Sequence, residues 1–592
     1  MPIYKAPLKD MKFIFADVLG GHQLGEMDAY QDFSADDMAM IAEEAAKVVE
    51  KEFVPINATG DQQGCRYNPE DHSVKTPDGF PEAYKAYAEA GWIGLSAPTE
   101  YGGQGLPHIM NFMLDEMMSA ANAAFCLYPG LSHSAINALA IHANDTLKDT
   151  YLPKLISGEW GGTMCLTEPH CGTDLGLIKT RAKPNADGSY GITGTKIWIT
   201  GGEQDLTDNI IHLVLAKTPD APDNVKGISL FLVPKFLEDG TRNGVFCGGL
   251  EHKMGINGSA TCVINLENAT GWLVGTEMKG MSHMFTMMNA ARLMVGCQAI
   301  GIAESAYQTS VAFMRDRKQS RSLAGPQDPN SAADPIWVHP DVRRMILRQK
   351  VMTEGMRALL YWAGIHLDQS LHHNDAAVRQ ASADRVALLT PICKAFISDE
   401  SNRAVDQAVQ SMGGSGFVQD WGVEQLLRDI RISRIYEGTN GIQALDLAGR
   451  KMHMNNGAAF HSVVEEVQGF VDANPTGLGV TNLKEALGAL KAGAEHLMAI
   501  SQASPVAMGG AASAFLNLAG FTLVGFMWCR MAATAQLRLS EGQDAAFHQA
   551  KLKSCQYYME RILPEFHSCL SEVRAPVETL MTFEDHDLDS QF

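Results

Sequence analysis

The chain lacks any Cys-x-x-Cys pair, although its 11 cysteines run from Cys65 to Cys569. That absence speaks against zinc ribbons and disulfide scaffolds, so no metal site is expected and a reducing cytoplasm is the default setting. Positive charge is also scarce. Against 68 Asp and Glu stand 47 Lys and Arg, a net charge of −21, which disfavours nucleic-acid binding through a basic face. No apolar run follows the opening Met-Pro-Ile-Tyr-Lys-Ala-Pro-Leu-Lys-Asp, so no signal peptide is expected. The glycine-rich stretch from Pro98 to Gly105 lacks the lysine of a phosphate-binding loop. Charge is missing altogether from Ile500 to Cys529. That length would span a bilayer. Yet Ser501, Gln502, Ser504, Pro505, Ser513, Asn517 and Thr522 punctuate it, and it reads as a buried helix in a bundle or a subunit contact, without membrane insertion.

What is present is ample apolar material, 46% of 592 residues, enough for three or four cores. Residues 1–34 form a leader with Tyr4, Met11, Phe13 and Phe15 as docking side chains. A helical region, 35–159, follows. Ser34 with Asp36 and Asp37 caps its first helix, and Met38, Ile41, Ala45, Val48 and Val49 line one face of a helix from Ala35 to Asn57. From residue 160 to 275 the period changes to strands: Gly162 to Leu166, Tyr190 to Thr193, Lys196 to Thr200, Ile210 to Ala216, Ile228 to Val233 and Thr261 to Leu266. Connections too short for helical crossovers predict a mostly antiparallel barrel or sandwich. Residues 276–455 return to helix, and 456–592 add a further helical region broken near Asn474-Pro475-Thr476-Gly477.

Three stretches carry chemistry. Residues 161–183 run from a strand into a polar turn at Thr167, Gly172 and Thr173, a source of backbone and hydroxyl donors for a planar, oxygen-rich ligand. Lys196-Ile-Trp-Ile-Thr places Trp198 and Thr200 on one strand face by the period of two. Tyr436-Glu437-Gly438-Thr439-Asn440-Gly441 sets a carboxylate, Glu437, on a loop at a helix start, where N–H groups point outward. Each alone is unremarkable: a surface glutamate, a buried tryptophan, a β-turn.

In this order and at these distances, the stretches resemble the acyl-CoA dehydrogenase family over about residues 35 to 455. Met164 to Asp174 matches the family's flavin motif, and Trp198 to Thr200 its tryptophan-and-threonine strand. Arg317-Lys318-Gln319 matches its arginine contact, and Gln410-Ser-Met-Gly413-Gly414-Ser-Gly416 its Gln-x-x-Gly-Gly-x-Gly run. The resemblance implies a helical N-terminal domain, a middle antiparallel β-barrel and a C-terminal four-helix bundle, with the extra helical domain beyond. It implies FAD as cofactor. Leu166 and Thr167 would hold the flavin's pyrimidine edge, Met164 would be a further cofactor contact, and Thr173 would face the bound ligands. Trp198 would lie against a flavin face, with Thr200 near the reactive nitrogen. Arg317, with Gln410, Gly413 and Gly414, would reach the diphosphate and adenosine of a FAD bound mainly by the other subunit of a homodimer, Gln319 would be a further cofactor contact, and Thr439 would touch a cofactor phosphate.

Glu437 would be the base. The α-C–H of a thioester is a weak acid, and its loss needs donors on the carbonyl oxygen. In the family these are the glutamate's own N–H and a ribityl hydroxyl. Some members carry the base next to an arginine matching Arg292; here that neighbour is Ala291, so Glu437 has no rival and Arg292 would brace its loop. His170 and Cys171 replace small residues usual in the flavin turn. The leader and tail resemble the longer subgroup, which acts on 3-(methylthio)propanoyl-CoA in dimethylsulfoniopropionate breakdown or on fatty acyl-CoA. That subgroup implies an acyl-CoA substrate, a bacterial cytoplasmic location and an electron-transfer flavoprotein as acceptor. DNA-binding relatives with extended tails are the alternative; residues 455–592, with 8 basic against 15 acidic side chains, have the wrong balance for it.

Overall fold

A computed structural model describes residues 2–589; the last residues of the expected helical tail, 590–592, lie outside the described residues, as does Met1. The chain separates into two compact units. Among the described residues, one comprises 3–6 and 40–294, the other Pro2 and 7–39 with 295–589.

The cap at Ser34 leads into Ala35–Val48, whose residues from Met40 onward belong to the first unit, with Ser34 Oγ donating to Asp37 Oδ2 at 2.6 Å and accepting from Asp37 N at 3.1 Å. The expected single helix to Asn57 does not form. The coil widens over Val49–Phe53 and restarts as Asn57–Gln63. A short hairpin, β1 Arg66–Asn68 and β2 Ser73–Lys75, follows. Two helices, His108–His142 and Asp145–Ile156, fill the last part of the region expected to be helical to residue 159. The break between them is set by Asn144, whose side chain caps the second by accepting from Leu147 N.

Seven strands then form one sheet: β3 Trp160–Cys165, β4 Arg181–Pro184, β5 Tyr190–Thr200, β6 Asn209–Lys217, β7 Ile228–Pro234, β8 Val245–Leu250 and β9 Thr261–Leu273. The order β6-β4-β5-β9-β7 closes back on β6, with β3 added beside β6 and β8 beside β9. Every residue of β6 and β7 is buried, so this sheet is covered rather than amphipathic. The expectation of antiparallel pairing needs correction at two places. β4 meets β6 in parallel at one pair, Arg181↔Lys217. β3 runs parallel to β6 over six pairs, from Trp160↔Asn209 to Cys165↔Val214. The intervening chain makes β4 and β5, so a hairpin does the work of the crossover helix that parallel strands ordinarily need.

In the second unit, long helices Pro340–His372 and Ala376–Met412 pack on each other and on Pro505–Ser540. The later part of Gly280–Asp316 lies against both: Ser310 Oγ donates to Gln349 Oε1 at 2.9 Å, and a Cβ at Gly296 would lie 3.2 Å from Leu360 and 3.6 Å from Cys393 O. The uncharged run is not one helix. Ser504 ends Val480–Ala503 and caps Pro505–Ser540 by accepting from Ala507 N. The Pro505–Ser540 helix is apolar enough to cross a membrane, but 89% of its most apolar window is buried within the protein. Gly355 shows how closely it packs: a Cβ there would lie 2.6 Å from Trp528 Nε1, which itself donates to Val351 O at 3.2 Å. The leader belongs to this interior from residue 7 onward. Met11, Phe13 and Phe15 are buried, and Asp10 accepts from Arg357 and Lys551, both buried. Arg357 also bonds Glu304 at 2.7 Å, and Lys551 bonds Glu354 at 2.9 Å. Tyr4 is half-buried and belongs to the first unit.

Candidate active site

The first unit presents the turn between β3 and β4. Its anchor was not singled out from the sequence: Glu168, buried, accepts from Lys196 Nζ at 2.8 Å, Thr180 Oγ1 at 2.6 Å, Thr180 N at 3.1 Å and Lys179 N at 2.6 Å. Burial pushes this carboxyl up, but the Lys196 charge and the hydrogen bonds outweigh it and hold it below the usual carboxylate range. Lys196 is fully buried and also donates to Leu166 O at 3.0 Å. Ile197 N donates to Thr167 O at 2.9 Å. The candidate flavin residues Leu166 and Thr167 are thus tied by their own backbone to β5, while their side chains, like that of Met164, remain half-exposed.

His170 and Cys171 find a physical role here. His170 Nε2–H donates to Leu177 O at 2.9 Å, closing the turn. Glu168, His170 and Cys171 bring possible ligand atoms within 4.8 Å, yet the ammonium of Lys196 already sits on that carboxylate. The trio is a tied turn, not a cation cage. Thr173 is exposed at its tip.

Trp198 and Thr200 do lie off the core, though not by simple alternation. The β5–β9 register shifts between Lys196 and Ile199, Trp198 has φ +60°, and Lys196 and Ile199 are the buried residues. This bulge re-aims the tryptophan, which is 60% exposed. A bulky residue at positive φ costs about 1–2 kcal/mol, and such strain gathers at functional positions. Arg292, also in this unit, is buried, with its guanidinium 5.9 Å from the Phe285 ring centroid; Ala291 beside it is fully buried and has no acid–base group.

The second unit presents Glu437. It is half-buried, with φ +57°, and Gly438 follows at φ +84°. Thr439 caps the helix Asn440–Gly449, its side chain accepting from Ile442 N. Gln443 Nε2 donates to Glu437 O at 3.0 Å, Lys394 Nζ donates to Gly438 O at 2.8 Å, and Tyr436 Oη donates to Gln298 Oε1. Tyr436 therefore does more than pack. A stray lysine in the apolar run from Leu388 to Ile397 was the signal that could have flagged Lys394.

Also in this unit, Arg317 and Gln319 are exposed at the end of Gly280–Asp316. Their loop is organised by the buried Asp334, which accepts from Ser322 N at 3.0 Å and Gln327 N at 3.1 Å. Gln410 is exposed on the last turn of Ala376–Met412. Gly413, at φ +60°, and Gly414 are exposed, and a Cβ at either would meet nothing within 4 Å. The residues suit FAD: an exposed indole face beside hydroxyl donors in one unit, and in the other bare glycine backbone and a guanidinium for a diphosphate.

Family models match 35–159 as the acyl-CoA dehydrogenase N-terminal domain, 163–269 as the middle domain and 278–452 as the C-terminal domain. Residues 463–584 match a model described as acetyl-CoA dehydrogenase C-terminal like. The 3-methylmercaptopropionyl-CoA dehydrogenase of Ruegeria pomeroyi is 39% identical over 98% of this chain and 99% of its own. A broad-specificity linear acyl-CoA dehydrogenase of Mycobacterium tuberculosis is 33% identical over 98% of each. A solved acyl-CoA dehydrogenase complexed with FAD from Bacillus anthracis, 23% identical, superposes with a TM-score of 0.74 over 95% of this chain and 91% of its own. With these matches running nearly end to end, the chain belongs to the acyl-CoA dehydrogenase family, FAD-dependent oxidoreductases, in a form carrying an extra C-terminal helical domain.

Proposed function

We propose that the protein oxidises 3-(methylthio)propanoyl-CoA to 3-(methylthio)acryloyl-CoA, with Glu437 as the base. The observation that carries the substrate is the 39% identity, across almost both full lengths, to a relative named for that thioester. The chemistry rests on the loop geometry at Glu437. Its carboxylate takes the α-proton, while its own N–H donates to the thioester oxygen as negative charge grows there. Bound FAD supplies the acceptor for the β-hydrogen, which leaves as hydride. Entry of the acyl chain expels water from around Glu437 and makes the carboxylate a stronger base. Thioethers of Met284, Met287 and Met294, buried on one helix, suit an adaptable wall for a sulfur-containing chain.

Met164, Leu166, Thr167, Thr173, Trp198 and Thr200 would hold the flavin end of FAD. Arg317, Gln319, Gln410, Gly413, Gly414 and Thr439 would take its diphosphate and adenosine, as parts of a homodimer. Arg292 would steady the base loop. Exposed Phe417, Val418 and Trp421, beside Gly413 and Gly414 in sequence, are apolar enough to support such a subunit contact. The same reading assigns the domains as 1–34, 35–159, 160–275, 276–455 and 456–592. It places the enzyme in a bacterial cytoplasm, passing electrons to an electron-transfer flavoprotein, without nucleic acid or membrane insertion.

The second reading, a fatty acyl-CoA dehydrogenase, is favoured by the broad-specificity relative and by a butyryl-CoA dehydrogenase of Syntrophomonas wolfei, 34% identical over 96% of this chain and 97% of its own. A panel of acyl-CoA thioesters with an artificial electron acceptor separates them. The proposal expects the highest kcat/KM with the methylthio substrate; a clear preference for straight chains of four to eight carbons rejects it.

A further inference from the structure

The Glu437 loop holds an unfavourable shape. Two consecutive residues, Glu437 and Gly438, sit at positive φ, +57° and +84°. Glycine adopts this freely, but a glutamate relaxes toward negative φ when nothing opposes it. Rotation about that bond would swing the carboxylate through a wide arc. What opposes it is a grip on two successive carbonyls. Gln443, from the helix that the loop begins, holds Glu437 O at 3.0 Å. Lys394, from the middle of Ala376–Met412, holds Gly438 O at 2.8 Å.

Lys394 is fully buried. Its ammonium also donates to Asn440 Oδ1 at 2.8 Å, and Asn440 Nδ2 donates in turn to Ala395 O at 3.2 Å and Ser398 Oγ at 2.9 Å. The lysine therefore fastens both the peptide after the base and the first residue of the following helix to one rigid neighbour. A buried ammonium is costly to desolvate, and a neutral side chain of similar length would fill the space as well. Charge-assisted donation to the base loop is what the lysine adds.

We propose that Lys394 is a positioning residue for the reaction: it holds the Glu437 loop in its left-handed shape through the Gly438 carbonyl, and so fixes where the base presents its carboxylate. This rests on Glu437 being the base. A misplaced general base loses rate steeply with distance, about a hundredfold for an ångström, while substrate affinity, set elsewhere, changes little.

The test uses full-length holoenzyme carrying Lys394→Met, Lys394→Gln or Lys394→Arg, with Glu437→Gln as the control. Flavin content, thermal midpoint, kcat and KM are measured for each. With flavin retained, K394M is expected to lower kcat about tenfold to a hundredfold with KM within about threefold, and K394R to recover most of that loss. A flavin-replete K394M or K394Q with wild-type kcat overturns the proposal. So does a parallel change in kcat, KM and thermal midpoint that Arg fails to reverse, or loss of flavin from all three lysine variants; these mark a lysine that only supports the fold. E437Q keeps the two questions apart. An active E437Q overturns the base assignment itself, whereas an inactive E437Q beside a fully active K394M overturns only the role of the lysine.

Discussion

Two buried lysines, one in each unit, do parallel work by different means. Lys196 lies against the carboxylate of Glu168 and the carbonyl of Leu166; Lys394 lies against the carbonyl of Gly438 and the amide of Asn440. Each lies close to a functional candidate at positive φ: Lys196 two residues before Trp198, at +60° in the bulge of β5, and Lys394 on the peptide that follows Glu437, at +57°. In the first unit, a salt bridge ties the β3–β4 turn to the strand that carries Trp198, and side chains there have only to be present as a surface. At the glutamate, the lysine grips the peptide next to the proposed base. A binding face can be fixed at a distance, through a sheet. A base has to be fixed at its own backbone, because small rotations there displace the reacting oxygen.

The largest effect should come from the proposed base. Glu437→Gln should leave the flavin absorbance and acyl-CoA binding intact and lower turnover by about a thousandfold or more. Steady-state rates comparable to wild type would remove Glu437 from the mechanism. Next comes the salt bridge. Lys196→Met strands a buried carboxylate and should destabilise the first unit by about 3–5 kcal/mol, seen as a lower thermal midpoint with loss of flavin. The double variant Lys196→Met, Glu168→Leu should recover part of this. If the single variant melts like wild type, the pair is not the anchor described here.

Asp115 sharpens the contrast, because its shift has burial as its sole cause and no lysine to offset it: the carboxyl is pushed up to about 7. Unfolded, it titrates near 3.9. The folded state therefore holds a proton that the unfolded chain releases between those values. Stability should fall as pH rises from about 4 to about 7, by up to roughly 4 kcal/mol for this group. Asp115→Asn should flatten that slope in denaturant titrations across the window; an unchanged slope refutes the shift. The smallest effect is expected at Trp198. Because it is mostly exposed, Trp198→Ala should leave the thermal midpoint of the flavin-free protein nearly unchanged and weaken flavin retention by about 0.5–1.5 kcal/mol, read by flavin release on dilution.

Much of the fold was legible because local chemistry set it. Ser34 and Asp37 made their cap, the Glu437 loop stood at a helix start, and the strand periods marked the sheet. The parallel pairing of β3 with β6 was hidden, since nothing in either strand names its neighbour. The bulge at Trp198 was hidden too: alternation predicts the face, but the register against β9 decides where the alternation slips. The split of the uncharged run at Ser504 was within reach, as Ser-Pro is a helix start.

By itself the sequence determined the motifs, the family they resemble and the carboxylate expected to act, because these depend on residue type and spacing. The tertiary structure alone decided what surrounds them: which lysine meets Glu168, which one meets Gly438, and that Asp10 of the leader pairs with Arg357 and Lys551, some 350 and 540 residues away. Buried charges choose partners by proximity in space, after the chain has collapsed, and separation along the chain carries no trace of that choice.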